Sequence, residues 1–347
     1  MVRLRAAVIG YGLAGATFHA PLIAASEELA LSTVVTSNPR RREQALSEHP
    51  DTCVVASVDE LWEMAGDHDL AVVAAANDAH VQLASQAIDR GLPVVVDKPL
   101  APTATEARAL VEHAERRGVL LTVFHNRRWD SDFLTLRKLL AEGALGEIIR
   151  FESRFERWRP RVRPDAWRET ASPAQGGGVL LDLGTHLVDQ ALELLGPAEH
   201  VYGEVEHRRG AGGDDDAFIA LRHGSGAYSH LWMSAFAAAP GPRLRVLGRR
   251  GAFVVRDLEG QEDALRAGRR PGGSEPWGIE PSERWGRLVR GTESEPVPSE
   301  RGDWPRFYAL LAKTIREGGP PPVDPGDAIA TLEVLDAARR GHTEARP

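Results

Sequence analysis

The sequence predicts an α/β protein, a doubly wound parallel sheet followed by an α+β domain on a large, mainly antiparallel open sheet. Three observations predict it. Over the first 125 residues, short continuous apolar runs alternate with helical patterns, as strands covered on both faces require. The first strand–helix junction is the glycine-rich GYGLAG. From about residue 126 the texture changes to alternating runs joined by glycine-containing turns, the signature of antiparallel strands. A chain of 347 residues is long for one core, so the expected division is a nucleotide-binding domain over 1–125 and a second domain over 126–347.

The first strand, LRAAVIG, leads into Gly10, Tyr11, Gly12, Leu13, Ala14 and Gly15. A G-x-G-x-x-G between a strand and a helix gives a tight turn, close backbone approach to a pyrophosphate, and close helix–strand packing. Free N–H groups at the helix start favour the anionic phosphates. This is the Rossmann arrangement and implies NAD or NADP. The second strand, LALSTVVT, is followed by Thr36, Ser37 and Asn38 where an acid would bind the ribose 2′-hydroxyl of NAD. Arg40, Arg41 and Arg42 come next, and hydroxyl donors with a guanidinium fork suit the 2′-phosphate of NADP. NADP is therefore favoured over NAD, the alternative being a solvated arginine-rich helix start. The strand DLAVVAAA ends at Ala76, Asn77 and His80, and LPVVVDKP ends at Asp97 and Lys98. Ligands of open α/β sheets bind beyond those carboxyl ends, so these residues are expected near the nicotinamide. For His80 a second reading is open, a helix-start histidine capping its neighbours. VLLTVFHN is the last strand of this part.

The second domain begins with RRWDSDFLTLRKLLAEG, an amphipathic helix ending at Gly143. Four segments then read as antiparallel strands: GEIIRFESRFERW, EHVYGEVEHRR, DAFIALRHGSGAYSHLWMSAF and RLRVLGRRGAFVV. Between them, residues 176–197 form an apolar helix with a polar stripe of Asp182, His186 and Asp189 at i, i+4 and i+7. That spacing puts the three on one face, where a carboxylate one turn from an imidazole can orient it. A metal site on Asp182 and His186 is the other reading, but no further His/Cys cluster completes it, and no metal is expected. Residues 268–302, rich in Gly, Pro, Glu and Arg, read as a long loop. Two helices close the chain and are free to pack back on the first domain.

A net charge of −8 with interspersed arginines gives no electrostatic case for nucleic acid or an anionic membrane. Cys53 is alone, and the N-terminus shows no signal-peptide pattern and no bilayer-spanning run, so a cytoplasmic location is expected. Of 42 basic residues only Lys98, Lys138 and Lys313 are lysine. A lysine can exchange a proton near neutrality where an arginine cannot, which singles out Lys98.

Taken together, GYGLAGATFHAPLI, DKP, HNRRWD and GGGVLLDLGTHLVDQ resemble the Gfo/Idh/MocA oxidoreductases over essentially the whole chain. QEDALRAGRRP and GPRLRVLG look like the NADP-dependent scyllo-inositol dehydrogenases within that family. The resemblance implies hydride transfer between NADP(H) and a secondary alcohol or ketone of a cyclitol or sugar, with Lys98, Asp182 and His186 catalytic. By the same resemblance Trp167 and Arg168 touch the cofactor, Asn126 and Arg127 border the substrate, and the chain forms a homodimer or homotetramer through the open sheet. Asp97 stands where the family usually has Glu. Two other activities use this fold: an NAD-dependent glycoside hydrolase, and a sensor that binds nucleotide without turnover.

Overall fold

The computed structural model describes residues 2–163, 167–210 and 212–344. Six parallel strands form the first sheet: β1 (Leu4–Ile9), β2 (Leu29–Val35), β3 (Cys53–Val55), β4 (Leu70–Val73), β5 (Val94–Asp97) and β6 (Leu121–Phe124). Their spatial order is β3-β2-β1-β4-β5-β6, so the strand order reverses next to β1, where the glycine turn lies. Residues of β4 and Val94–Val96 of β5 are buried throughout, as helices on both faces demand. Burial of each such valine is worth about 1.5–3 kcal/mol. β3 was not foreseen, because three residues of CVV are too short to show a period.

The second sheet has eight strands: β7 (Ile148–Glu156), β8 (Ala198–Glu206), β9 (Asp216–His223), β10 (Tyr228–Ser234), β11 (Leu244–Gly248), β12 (Gly251–Val255), β13 (Arg287–Arg290) and β14 (Glu293–Pro296). Their order is β14-β13-β12-β11-β7-β10-β9-β8. Two features differ from expectation. The β7–β10 pair is parallel, since the chain crosses over through the helix Val179–Leu195 and β8–β9 before returning beside β7. Part of the expected 268–302 loop is the hairpin β13–β14 added to the sheet edge. RLVR and ESEP show no sustained apolar alternation, because Leu288 is the one residue of the hairpin's two strands that is buried. The first part of that segment encloses a cavity of about 640 Å³.

Helices Val179–Leu195 and Pro325–Glu344 cover one face of this sheet. The opposite face presents Phe218, His230 and Trp232 in mutual ring contact, with the Arg154 guanidinium 3.8 Å over Trp232. The C-terminal helix also packs on the first domain, where Asp336 accepts from the Ala104 N–H at 3.0 Å and Arg108 pairs with Glu333. No helix among the described residues is long and apolar enough to cross a membrane.

Candidate active site

A cleft of about 730 Å³ lies beyond the carboxyl ends of the parallel strands. It is lined by Leu13 and Ala14 of the glycine turn, by Lys98, by Asn126, and by Asp182 and His186 of the second-domain helix.

The glycine turn is shaped by close approach. Gly10 has φ +99°, and a Cβ there would stand 2.7 Å from the Ala74 carbonyl oxygen; a Cβ on Gly15 would overlap the Gly10 carbonyl. Gly12 differs, because a Cβ would meet only the Arg41 guanidinium, 3.8 Å away. Its backbone is thus open to a phosphate, with a cation already beside it. Tyr11 contributes only backbone here: its ring is buried, its hydroxyl donates to Glu48 at 2.9 Å, and burial followed by Glu48 pushes the phenol upward. After β2, the Asn38 carboxamide caps the helix Pro39–Glu48, accepting from the N–H groups of Arg40 and Arg41 at 3.0 and 3.2 Å. Thr36 Oγ1 accepts from Asn38 N–H at 3.4 Å, and Ser37 is exposed. Arg42 is committed to the Val54 carbonyl at 2.5 Å. With no carboxylate at 36–38 and Arg41 reaching the turn, the residues present fit a dinucleotide bearing a 2′-phosphate.

Beyond β4, Ala76 is exposed, while Asn77 is buried and donates to the Gly176 carbonyl at 2.9 Å, tying the turn to the second domain. His80 does not face the cleft. It is fully buried, with Nδ1 2.8 Å from the Pro99 carbonyl and Nε2 3.3 Å from that of Ala75, so its expected cofactor contact gives way to the capping reading. Burial lowers its pKa, and the buried ring is a brace between strand ends.

Lys98 follows β5 and precedes a cis Lys98–Pro99 bond. Its ammonium donates to the Asp182 backbone carbonyl and to Asp182 Oδ1, both at 2.7 Å. An ammonium has three donors, so one is left for the cleft. Arg168 Nε stands 3.4 Å from the same Oδ1. Burial alone would raise the Asp182 carboxyl, but Lys98 and Arg168 outweigh it and hold it far below the usual carboxylate range. Asp182 therefore anchors Lys98, and the expected Asp182–His186 pairing is replaced. Its helix begins on a carboxylate from another strand end, with Asp214 Oδ1 accepting from Leu180 N–H at 2.6 Å.

His186 packs edge-on to Phe155 at 6.1 Å, and its Nδ1 is buried without a hydrogen-bond partner. Burial, then the charges of Lys98 and Arg127, lower its pKa well below the ordinary 6.5, so the ring is neutral at pH 7. Asp189, the third member of the stripe, leaves the site and pairs with Arg128 at 2.5 Å. Arg127 lines the cleft but is held by Asp130 (3.2 Å) and Glu262 (2.7 Å). The side chain of Trp167 lies outside the described residues.

Sequence reasoning missed a line of support behind Asp97. His19 Nε2 faces Asp97 Oδ1 at 3.3 Å, and the hydroxyl of Tyr308, from a C-terminal helix, stands 2.6 Å from His19 Nδ1. Burial raises the Asp97 carboxyl, and His19 with Lys98 outweigh it to leave a lowered pKa. The only sequence signal was a histidine one helical turn past the glycine motif, with nothing to pair it to residue 308. Arg157 and Arg159, which also line the cleft, were passed over as part of an arginine-rich background. Among the described residues, no group of three or more His, Cys, Asp and Glu side chains could hold a metal ion.

Comparison with known proteins agrees with this geometry. A model described as an oxidoreductase family with an NAD-binding Rossmann fold matches residues 4–125, and one for the GFO/IDH/MocA C-terminal domain matches 133–254. The chain is 36% identical to the scyllo-inositol 2-dehydrogenase (NADP(+)) IolW of Bacillus subtilis, covering 99% of this chain and 95% of that protein. It is 39% identical to the uncharacterized oxidoreductase YdgJ of Escherichia coli, with coverages of 96% and 94%. The solved structure of the Bacillus subtilis oxidoreductase yvaA superposes with a TM-score of 0.91 at 34% identity, covering 99% of this chain and 97% of that one.

Proposed function

Because the chain belongs to the Gfo/Idh/MocA oxidoreductase family, we propose that it transfers hydride between NADP(H) and a secondary alcohol or ketone of a cyclitol or sugar. The observation that carries this reading is Lys98 with one donor to spare, in the same cleft as a neutral, buried His186. Bound nicotinamide supplies the hydride donor or acceptor. In oxidation the alcohol carbon gives up hydride, and the hydroxyl proton passes to His186, leaving a carbonyl. Positioned acid–base catalysis of this kind is worth about 10²–10⁴-fold. Lys98 donates to the reacting oxygen as negative charge develops on it. Asp182 holds the ammonium, Arg168 shares the same carboxylate oxygen and keeps it ionised, and Asp97 fixes the strand end that carries the lysine. In reduction the hydride and the proton travel the other way, the proton returning from His186 to the oxygen.

NADP rather than NAD is supported by Arg41 beside Gly12, by the absence of an acid at 36–38, and by the cofactor in the name of the Bacillus relative. That name also makes scyllo-inositol and its ketone the first compounds to assay. A parallel screen of inositols, inososes and sugars with NADP and NAD, followed at 340 nm, tests the reading. Absence of any cofactor-linked turnover would favour a sensor, and release of sugar from a nitrophenyl glycoside without net absorbance change would favour a hydrolase.

The division at residue 125 fits the cleft, which lies between the parallel sheet and the helix Val179–Leu195. The aromatic outer face of the second sheet supports assembly with a second copy through Phe218, His230 and Trp232. Light scattering on Trp232→Glu should then show a smaller particle than the parent. A reducing cytoplasm suits the lone Cys53, which is exposed.

A further inference from the structure

We propose that the alcohol handled here carries an anionic group, a carboxylate or a phosphate, and that Arg157 and Arg159 bind it. The proposal rests on the hydride-transfer reading above and names the charge of its substrate.

The chain leaves β7 still hydrogen-bonded beside β10: Arg157 N–H donates to the Ser234 carbonyl and Arg159 N–H to that of Ala235, each at 2.8 Å. Trp158 between them bridges Phe236. Extended backbone alternates its side chains, so Arg157 and Arg159 point to one side and Trp158 to the other. The side they share is the cleft, which both line, while Trp158 is 58% exposed.

Their neighbours are already satisfied. Arg163 pairs with Glu169 at 2.7 Å, Arg266 with Glu262 at 2.8 Å, Arg127 with Glu262 at 2.7 Å, and Arg209 with Asp215 at 3.1 Å. Among the described residues, Arg157 and Arg159 form no ion pair. Instead they face each other's charge: after burial, the cations Arg157 and Arg163 lower the Arg159 pKa, with Glu169 opposing and Arg266 adding to them. Two guanidinium groups that line one cleft, with no carboxylate within ion-pair distance among the described residues, in a chain of net charge −8, form a cradle for an oxyanion. Arg157 is close enough to the reacting groups that its charge also lowers Asp182. A group bound there sits on the substrate side of Lys98.

The rival source of an oxyanion is the nucleotide's own pyrophosphate, since Leu13 and Ala14 border the same cleft. Two measurements separate the sources. Turnover is followed with NADP on matched pairs of alcohols, free inositols against their monophosphates and aldoses against the corresponding uronic acids. Binding of NADPH, and of inorganic phosphate to the NADPH-loaded protein, is followed by calorimetry. The anionic member of a pair should have kcat/KM at least about tenfold higher, as a charge-assisted contact provides. In the Arg157→Gln/Arg159→Gln variant that ratio should fall toward one, phosphate binding to the loaded protein should be lost, and the NADPH Kd should stay within about twofold. The proposal is overturned if neutral and anionic partners are equal, or if the variant loses NADPH affinity and keeps the ratio. If no alcohol turns over, the hydride reading fails by itself. Phosphate binding then decides the arginine site: loss in the variant upholds it, and binding that is absent or unchanged refutes it.

Discussion

The two ends of the cleft are built from different parts of the polypeptide. At the glycine turn the working surface is backbone: Gly12 is open, Tyr11 turns its ring inward, and only Arg41 adds a side chain. At the other end it is side chains alone, Lys98 from a strand end of the first domain and His186 from a helix of the second. A backbone surface can bind a pyrophosphate shared by many enzymes. A side-chain surface assembled from two domains selects and transforms one kind of molecule. On the proposed reading the chemistry is concentrated where the two sheets' elements meet, and binding of the common ligand is left to the first.

If that contrast is right, substitutions at the side-chain end cost turnover and those at the backbone end cost affinity. The largest effect is expected from Lys98→Met, which removes the donor to the reacting oxygen and should cut kcat on the order of 10³-fold, with NADPH still bound by fluorescence titration. Lys98→Arg keeps the charge, and near-normal turnover in that variant would show that no proton handling is required of residue 98. His186→Ala should lower kcat by about 10²-fold. It also bears on pH. An imidazole held well below 6.5 must be unprotonated to accept the alcohol proton, so wild-type oxidation should keep its rate through pH 6.5 and lose it only at pH well below that. Ketone reduction, which begins with the protonated ring, should gain rate over the same range, and both inflections should vanish in the variant. At the backbone end, Arg41→Ala should weaken NADPH about tenfold or more and NADH much less, since a charged hydrogen bond is worth roughly 1.5–3 kcal/mol; equal losses for the two would remove the 2′-phosphate contact. The smallest change is expected from Tyr308→Phe. It deletes the hydroxyl beside His19 Nδ1, two contacts behind the lysine, and should lower thermal stability by about 1 kcal/mol with kcat reduced only a few fold.

The same contrast explains what could be read from the sequence. The glycine turn, five of the six parallel strands and the helix bearing Asp182 and His186 were legible because each is written locally, in a spacing or an uninterrupted apolar run. The partners were not. Asp182 and His186 are one turn apart and looked like a pair, yet the carboxylate turns to Lys98, 84 positions away, because a buried ammonium needs a counter-charge more than a neutral ring does. His80 looked like a cofactor residue from its place at a strand end, and two backbone carbonyls claimed its ring. Arg157 and Arg159 are indistinguishable from the other arginines in the sequence; what sets them apart is that among the described residues they form no ion pair. The hairpin β13–β14 stayed hidden because only Leu288 of its two edge strands is buried, too little to write an alternation.

Gly176 has a role out of proportion to its size. It sits at φ +79° just before the helix that carries His186, and any Cβ there would press to 2.6 Å from the Cβ of Asn77, whose amide already holds the Gly176 carbonyl. The gap between the Asn77 turn and the helix that carries His186 is therefore metered by the thickness of a bare peptide. Even a methyl group at this seam would wedge the two sides apart and, on the proposed reading, lengthen the hydride's path without lining the cleft.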